Sequence, residues 1–282
     1  MSKLYMYFPG FRDKAVTFSY DDGVWQDKKL LQIMEKYGLK GTFNISSGLF
    51  GNERADPLMN RMTKEAAIEL YGHSKIEVAV HGYKHRALVD LERLNITNEI
   101  LIDKKELESI FGKPIIGMAY AYGAYNDQIV EMLKECGISY ARTVIDTEDF
   151  KIPEDWLRMP TTCHHNNPRL MELAKEFLAP SDKLNLKIEP KLFYIWGHSY
   201  EFDQLDNWEV IENFAQFIGN REDVWYATNG EIFEYVQAYK NLQFNNEESI
   251  VYNPSKVDVY FSFLGENYIA YAGEKLNLKE EI

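Results

Sequence analysis

Apolar, strand-forming runs alternate with helical segments from Ala15 to about residue 240, and this rhythm restricts the fold more than any other feature of the chain. Ala15–Phe18, Gly41–Ile45, Ile76–Val80, Pro114–Tyr120, Ile138–Val144, Leu192–Trp196 and Val224–Ala227 read as strands. Lys28–Tyr37, Lys64–Tyr71, Thr97–Phe111, Asn126–Glu135, Pro168–Phe177, Trp208–Ile218 and Glu231–Asn241 read as helices. Asp146–Pro160 is irregular, and His164-His165 falls in an Asn- and Pro-rich loop. Such alternation favours an α/β fold whose mostly parallel sheet is joined by helical crossovers. About seven or eight units favour a closed or nearly closed (β/α) barrel, spanning residues 1–243, over an open sheet. From about Phe244 the period changes to two. Val257, Val259, Phe261 and Phe263 alternate with polar neighbours, and Tyr268–Ala272 reads as a hairpin partner across Gly265-Glu266-Asn267. Residues 244–282 are therefore expected to form a small C-terminal antiparallel β appendage.

The chain has 282 residues, enough for a barrel with an appendage, and 45% of them are hydrophobic, enough for a sizeable core. A net charge of −13 argues against nucleic acid and against an anionic membrane surface as partners. No apolar run approaches the roughly 18–20 residues that span a bilayer. The first strand begins too early to leave room for a signal peptide, and the 2 cysteines form no disulfide framework, so a cytoplasmic setting is expected. Homo-oligomerisation is left open.

The chemistry collects where strands end. Ala15–Phe18 runs into Asp21-Asp22-Gly23, which is either an Asp-Asp-Gly turn or a site. Adjacent residues on extended chain point to opposite sides, so Asp21 and Asp22 can serve a water and a metal separately. Ile76–Val80 runs into His81-Gly82-Tyr83-Lys84-His85. In a helical turn the i, i+4 spacing would put both imidazoles on one face. Two imidazoles and a carboxylate from Asp22 suit a divalent metal with an open position; a polar helix start is the plainer alternative. Leu192–Trp196 runs into Gly197-His198, where His198 is a structural residue or, opposite a metal, a general acid. Parallel topology gathers all three strand ends at one rim, and that recurrence is the signal.

Thr17-Phe18-Ser19-Tyr20-Asp21-Asp22-Gly23 resembles the first motif of the polysaccharide deacetylases of carbohydrate esterase family four, and His81-x-x-x-His85 resembles their second. Tyr122-Gly123 is similar to the end of their Arg-Pro-Pro-Tyr-Gly motif, Asp146-Thr147-Glu148-Asp149-Phe150 to their Asp-x-x-Asp-Trp, and Trp196-Gly197-His198 to their final histidine motif. The resemblance covers roughly residues 12–240. It implies a distorted (β/α)7-8 barrel that removes acyl groups from N-acylated sugars, with a small-molecule or oligosaccharide substrate as the expected partner. It implies that Asp22, His81 and His85 hold a divalent metal, usually zinc, that Asp21 is the base and His198 the acid, and that backbone N–H near Tyr122 helps hold the oxyanion. Three departures mark a divergent member. Ala119 stands in place of the arginine that orients the base, Gly82 in place of Ser or Thr, and Phe150 in place of Trp. Arg142, at another strand end, is the candidate replacement.

Tyr83 and Tyr200 are candidate sugar-stacking residues beside the motifs, although most aromatics are core, and Tyr122 is a candidate substrate-binding residue through its backbone. His164 and His165 either reach the rim and touch substrate or form a solvated pair. Glu201 and Asp203 orient His198 or are plain surface charges. Two other functions compete: opening of a cyclic imide or ureide, or removal of a formyl group, on the same barrel; and a non-catalytic carbohydrate-binding relic, against which the intact Asp21, Asp22, His81, His85 and His198 argue.

Overall fold

The computed structural model describes residues 3–72, 75–180 and 189–278. An N-terminal strand, β1 (Leu4–Tyr7), precedes the barrel strands β2 (Lys14–Asp21), β3 (Gly41–Ile45), β4 (Ile76–Val80), β5 (Gly117–Ala119), β6 (Tyr140–Asp146), β7 (Met159–Thr161), β8 (Cys163–His164), β9 (Lys191–Gly197) and β10 (Val224–Tyr226). The helices are α1 (Asp27–Lys36), α2 (Lys64–Tyr71), α3 (Arg93–Phe111), α4 (Asp127–Glu135), α5 (Leu170–Leu178), α6 (Tyr200–Gln204), α7 (Trp208–Ile218) and α8 (Asn229–Lys240). Helix ends follow local chemistry. Thr63 and Asn126 cap α2 and α4, Thr228 and Glu231 form a reciprocal capping box at α8, and Gly112 ends α3 with a left-handed φ of 65°.

β2 to β10 make one nine-stranded sheet, every pair parallel. All eight residues of β2 are buried, as expected for a parallel strand covered on both faces. β7 pairs with β6, β8 pairs with β9, and only Thr162 separates β7 from β8. Together Met159–His164 act as one interrupted stave that closes the ring. β10 pairs only with the first residues of β2, Lys14 to Val16, so the barrel is irregular there. The expected distorted (β/α)7-8 barrel is the observed fold.

Four local expectations need correction. Asp146–Pro160 is not wholly irregular, since β6 runs on to Asp146 and β7 starts at Met159. His164 is not in a loop but ends β8, opposite Trp196; a two-residue strand carries no alternation to read. The 81–85 segment is not helical: Gly82 and His85 both have positive φ, 85° and 52°, and the His85 N–H donates to the Gly82 carbonyl at 3.1 Å. The late hairpin, β11 (Gln243–Phe244) and β12 (Ile250–Tyr252) preceding β13 (Val259–Phe263) and β14 (Glu266–Ala270), turns at Leu264-Gly265 rather than over Gly265-Glu266-Asn267. Both turn residues have positive φ, as a two-residue hairpin requires.

β13 alternates buried and half-buried as its period predicts. It pairs with β14 on one side and with β1 on the other, while β11, β12 and β15 (Lys275–Asn277) form a second small sheet. The N-terminus thus contributes a strand to the late β elements. The Tyr235 hydroxyl on α8 donates to the Tyr7 carbonyl at 2.5 Å and accepts from the Tyr260 N–H at 3.0 Å, which ties these sheets to the barrel.

Candidate active site

The three strand ends meet. Asp22, just past β2, puts Oδ1 3.3 Å from His85 Nε2 and 3.9 Å from His81 Nε2. The ligand atoms of Asp22, His81 and His85 all lie within 4.8 Å of one another. Asp22 and Gly23 have φ of 86° and 66°; only glycine takes such angles freely, so the Asp22 backbone is held in a costly conformation at the site. His81 Nδ1 lies 2.9 Å from the Ala119 carbonyl, which fixes the proton on Nδ1 and leaves the Nε2 lone pair facing Asp22. Asp103 on α3 anchors the loop beneath, accepting from the Ser47 N–H and hydroxyl, both at 2.6 Å, and from the His81 N–H at 3.1 Å. Burial lowers the His81 pKa, and burial together with His81 takes His85 down to about 4, so both rings are neutral at pH 7.

Asp21 lies beside this trio, with Oδ2 3.8 Å from His81 Nε2. Its Oδ1 accepts from Asn44 Nδ2 at 2.8 Å, and its Oδ2 accepts from the fully buried Arg142 guanidinium. Arg142 on β6 is the register partner of Ala119 on β5. A guanidinium therefore reaches the Asp21 carboxylate from one stave along. It also lies 4.6 Å from the Trp196 ring, whose Nε1 donates to Asp146 Oδ1 at 2.8 Å. Burial would raise the Asp21 pKa, but Arg142, His81, His198 and the Asn44 hydrogen bond outweigh it and hold the group at about 2.

His198, just past β9, lies across from the histidine pair. Its Nε2 is 3.9 Å from Asp21 Oδ2 and its Nδ1 is 3.4 Å from Glu201 Oε1. Burial pulls this imidazole down, but Glu201, Asp21 and Asp22 raise its pKa above the ordinary value. Tyr200 packs tilted on His198 with ring centres 5.2 Å apart. Tyr122 is 67% exposed and edge-on to His85 at 4.7 Å, on a turn with φ of 58°. Tyr83 packs on the Gly48 backbone, where an added Cβ would fall 2.4 Å from its carbonyl oxygen. His164 sits edge-on to Trp196 at 4.7 Å. His165 is fully buried, stacked on Phe202 at 4.1 Å and on Tyr20 at 5.7 Å. Neither a solvated loop pair nor a substrate contact suits His165, because the closing stave turns it into the core. Glu201 is not a plain surface charge, whereas Asp203 accepts from Trp208 Nε1 at 2.7 Å on the exposed side of α6.

Two site residues escaped the sequence reading. Asn44 was legible, as the one amide in the apolar run Gly41–Ile45. Arg61 was not, since it comes from a loop that folds back to bridge Val24. Its buried guanidinium places Nη2 2.6 Å from Asp22 Oδ1. The donor set Asp22, His81 and His85 fits a divalent cation, with neutral imidazoles and a buried carboxylate oxygen. Arg61 shares that oxygen as a fixed positive charge and repels a second one. Arg61→Met is accordingly expected to tighten zinc binding by about tenfold, measured by competitive chelator titration. Unchanged or weaker binding would mean that Arg61 orients Asp22 instead of competing for it.

A distorted (β/α) barrel with carboxylates and imidazoles converging at the C-terminal rim of its strands is the class of protein that this chain forms. Residues 9–141, just under half of the chain, match the model of the polysaccharide deacetylase family. A chitin deacetylase of Arthroderma benhamiae is 33% identical over 145 residues, covering 49% of this chain and 35% of that protein. The chain thus spans about a third of the length of this curated relative. A crystal structure from Mycobacterium smegmatis, described as a candidate polysaccharide deacetylase, superposes with a TM-score of 0.56 at 18% identity, covering 84% of this chain and 94% of that one. That likeness bears on the fold. Among the described residues no helix is long and apolar enough to cross a membrane.

Proposed function

We propose that this protein is a metal-dependent hydrolase that removes an acyl group, acetyl in the simplest case, from an N-acylated sugar or oligosaccharide. The observation that carries the reading is the convergence at one rim: the trio Asp22, His81 and His85, with Asp21 Oδ2 3.8 Å from His81 Nε2 and 3.9 Å from His198 Nε2. A divalent cation held by Asp22, His81 and His85, zinc by the nature of the donors, would polarise the amide carbonyl and acidify water. Asp21, kept ionised by Arg142 and aimed by Asn44, takes the proton of the attacking water. His198 Nε2 gives a proton to the departing amine. Backbone N–H at the Tyr122 turn is suited to the developing oxyanion, and the exposed Tyr122 ring offers a face to the sugar. The family name and the chitin deacetylase relative support the acyl-sugar substrate class. Arg142 on Asp21 supplies the orienting guanidinium that Ala119 lacks.

Incubation with N-acetylglucosamine oligomers is expected to release acetate, with the rate abolished by a chelator and restored by added zinc. Acetate release that continues after the protein is shown to be metal-free would overturn the proposal. Ring opening of cyclic imides without acetate release from any acetylated sugar would replace it with the alternative.

A further inference from the structure

His164 and His165 take no part in the reaction above, yet they close on one atom. His164 Nε2 and His165 Nε2 each lie 3.1 Å from Glu201 Oε2, and the His198 backbone N–H donates to that oxygen at 3.3 Å. The other carboxylate oxygen, Oε1, lies 3.4 Å from His198 Nδ1. The tautomer of His164 follows from its second nitrogen. Nδ1 accepts the Asn166 N–H at 3.2 Å, so a neutral ring carries its proton on Nε2, directed at Glu201. His165 is locked between Tyr20 and Phe202 and against Gly197, where an added Cβ would meet its Nδ1 at 2.0 Å.

We infer that Glu201 is a positioning residue, clamped by His164 and His165, which accepts the Nδ1 proton of His198 and so turns Nε2, the nitrogen that passes a proton to the amine, toward Asp21 and the rim. Its consequence for catalysis rests on the hydrolase reading; its consequence for the protonation of His198 Nδ1 does not. Two imidazoles and a carboxylate within 4.8 Å are also a donor set for a second cation. That use would require His164 Nε2 to shed its proton while Nδ1 still faces the Asn166 N–H, and the positioning role has no such conflict.

The test uses the zinc-loaded full chain and two variants. Glu201→Gln removes the charge. His165→Phe keeps the aromatic stack and removes the ring nitrogens, so it serves if Glu201→Gln folds poorly. Long-range nitrogen–proton spectra of the histidine rings should show His198 Nδ1 protonated in the wild type and partly or wholly deprotonated in Glu201→Gln. Zinc should remain at one per chain throughout. Turnover of acetylated oligosaccharides should fall roughly 10²-fold in Glu201→Gln, and by less in His165→Phe, with KM within about twofold. Unchanged protonation of His198 Nδ1 in both variants overturns the inference. So does a second zinc in the wild type that either variant loses. If no substrate is turned over, the spectra and the zinc count still decide it, and only the hydrolase reading fails.

Discussion

Asp21→Asn is expected to lower turnover by about 10²-fold or more while leaving the cation in place. The substitution keeps shape but removes the group that accepts the water's proton. It also sets an amide between two donors, Asn44 Nδ2 and the Arg142 guanidinium, so one of the two contacts must become donor against donor. All three donors of the cation trio remain, since its carboxylate is Asp22, whose Oδ1 lies 3.9 Å from His81 Nε2 and 3.3 Å from His85 Nε2. Acetate release and bound zinc, measured on the same preparation, check both halves. If Asp21→Asn emptied the cation site while Asp22→Asn spared it, the two aspartates would exchange roles.

The largest stability effect is expected at Arg142. Its guanidinium is fully buried against Asp21, and removing one partner of such a pair strands the other charge. Arg142→Leu should therefore destabilise the fold by about 3–5 kcal/mol in urea titrations. Adding Asp21→Asn to it should return part of the loss, because no unpaired carboxylate then remains. The pH dependence has a definite sign. Asp21 titrates at about 2 in the folded chain, below its unfolded value of 3.8. Its contribution, on the order of 2–3 kcal/mol, is present above the unfolded value and fades as pH falls through 2. In Arg142→Leu, burial loses its largest counterweight, so this acid-side gain should shrink in melts compared at pH 2, 3 and 5.

Much of the fold was legible because apolar runs and caps mark it locally. Gly41–Ile45, Ile76–Val80, Lys64–Tyr71 and Trp208–Ile218 fall where the periodicity puts them. The rim residues were legible because parallel strands deliver their ends to one side, whatever lies between. Arg142 stood out as a charge inside an apolar run, and burial of a charge demands a partner. What stayed hidden depends on distant contacts. Arg61 meets Asp22 only because its loop folds back on Val24. β1 gains its identity from pairing with β13, more than 240 residues away. His165 is buried by ring closure at β8, which the Asn- and Pro-rich sequence around it does not announce.

Thr162 is where the ring closes, with β7 before it and β8 after. Side chains on extended backbone alternate in direction, so a slip of one position at this seam would swap the orientations of two successive histidines. An insertion or deletion beside Thr162 would thus rewire the active rim without touching any of its residues. The shortest staves of the barrel are also the least tolerant of a change in length.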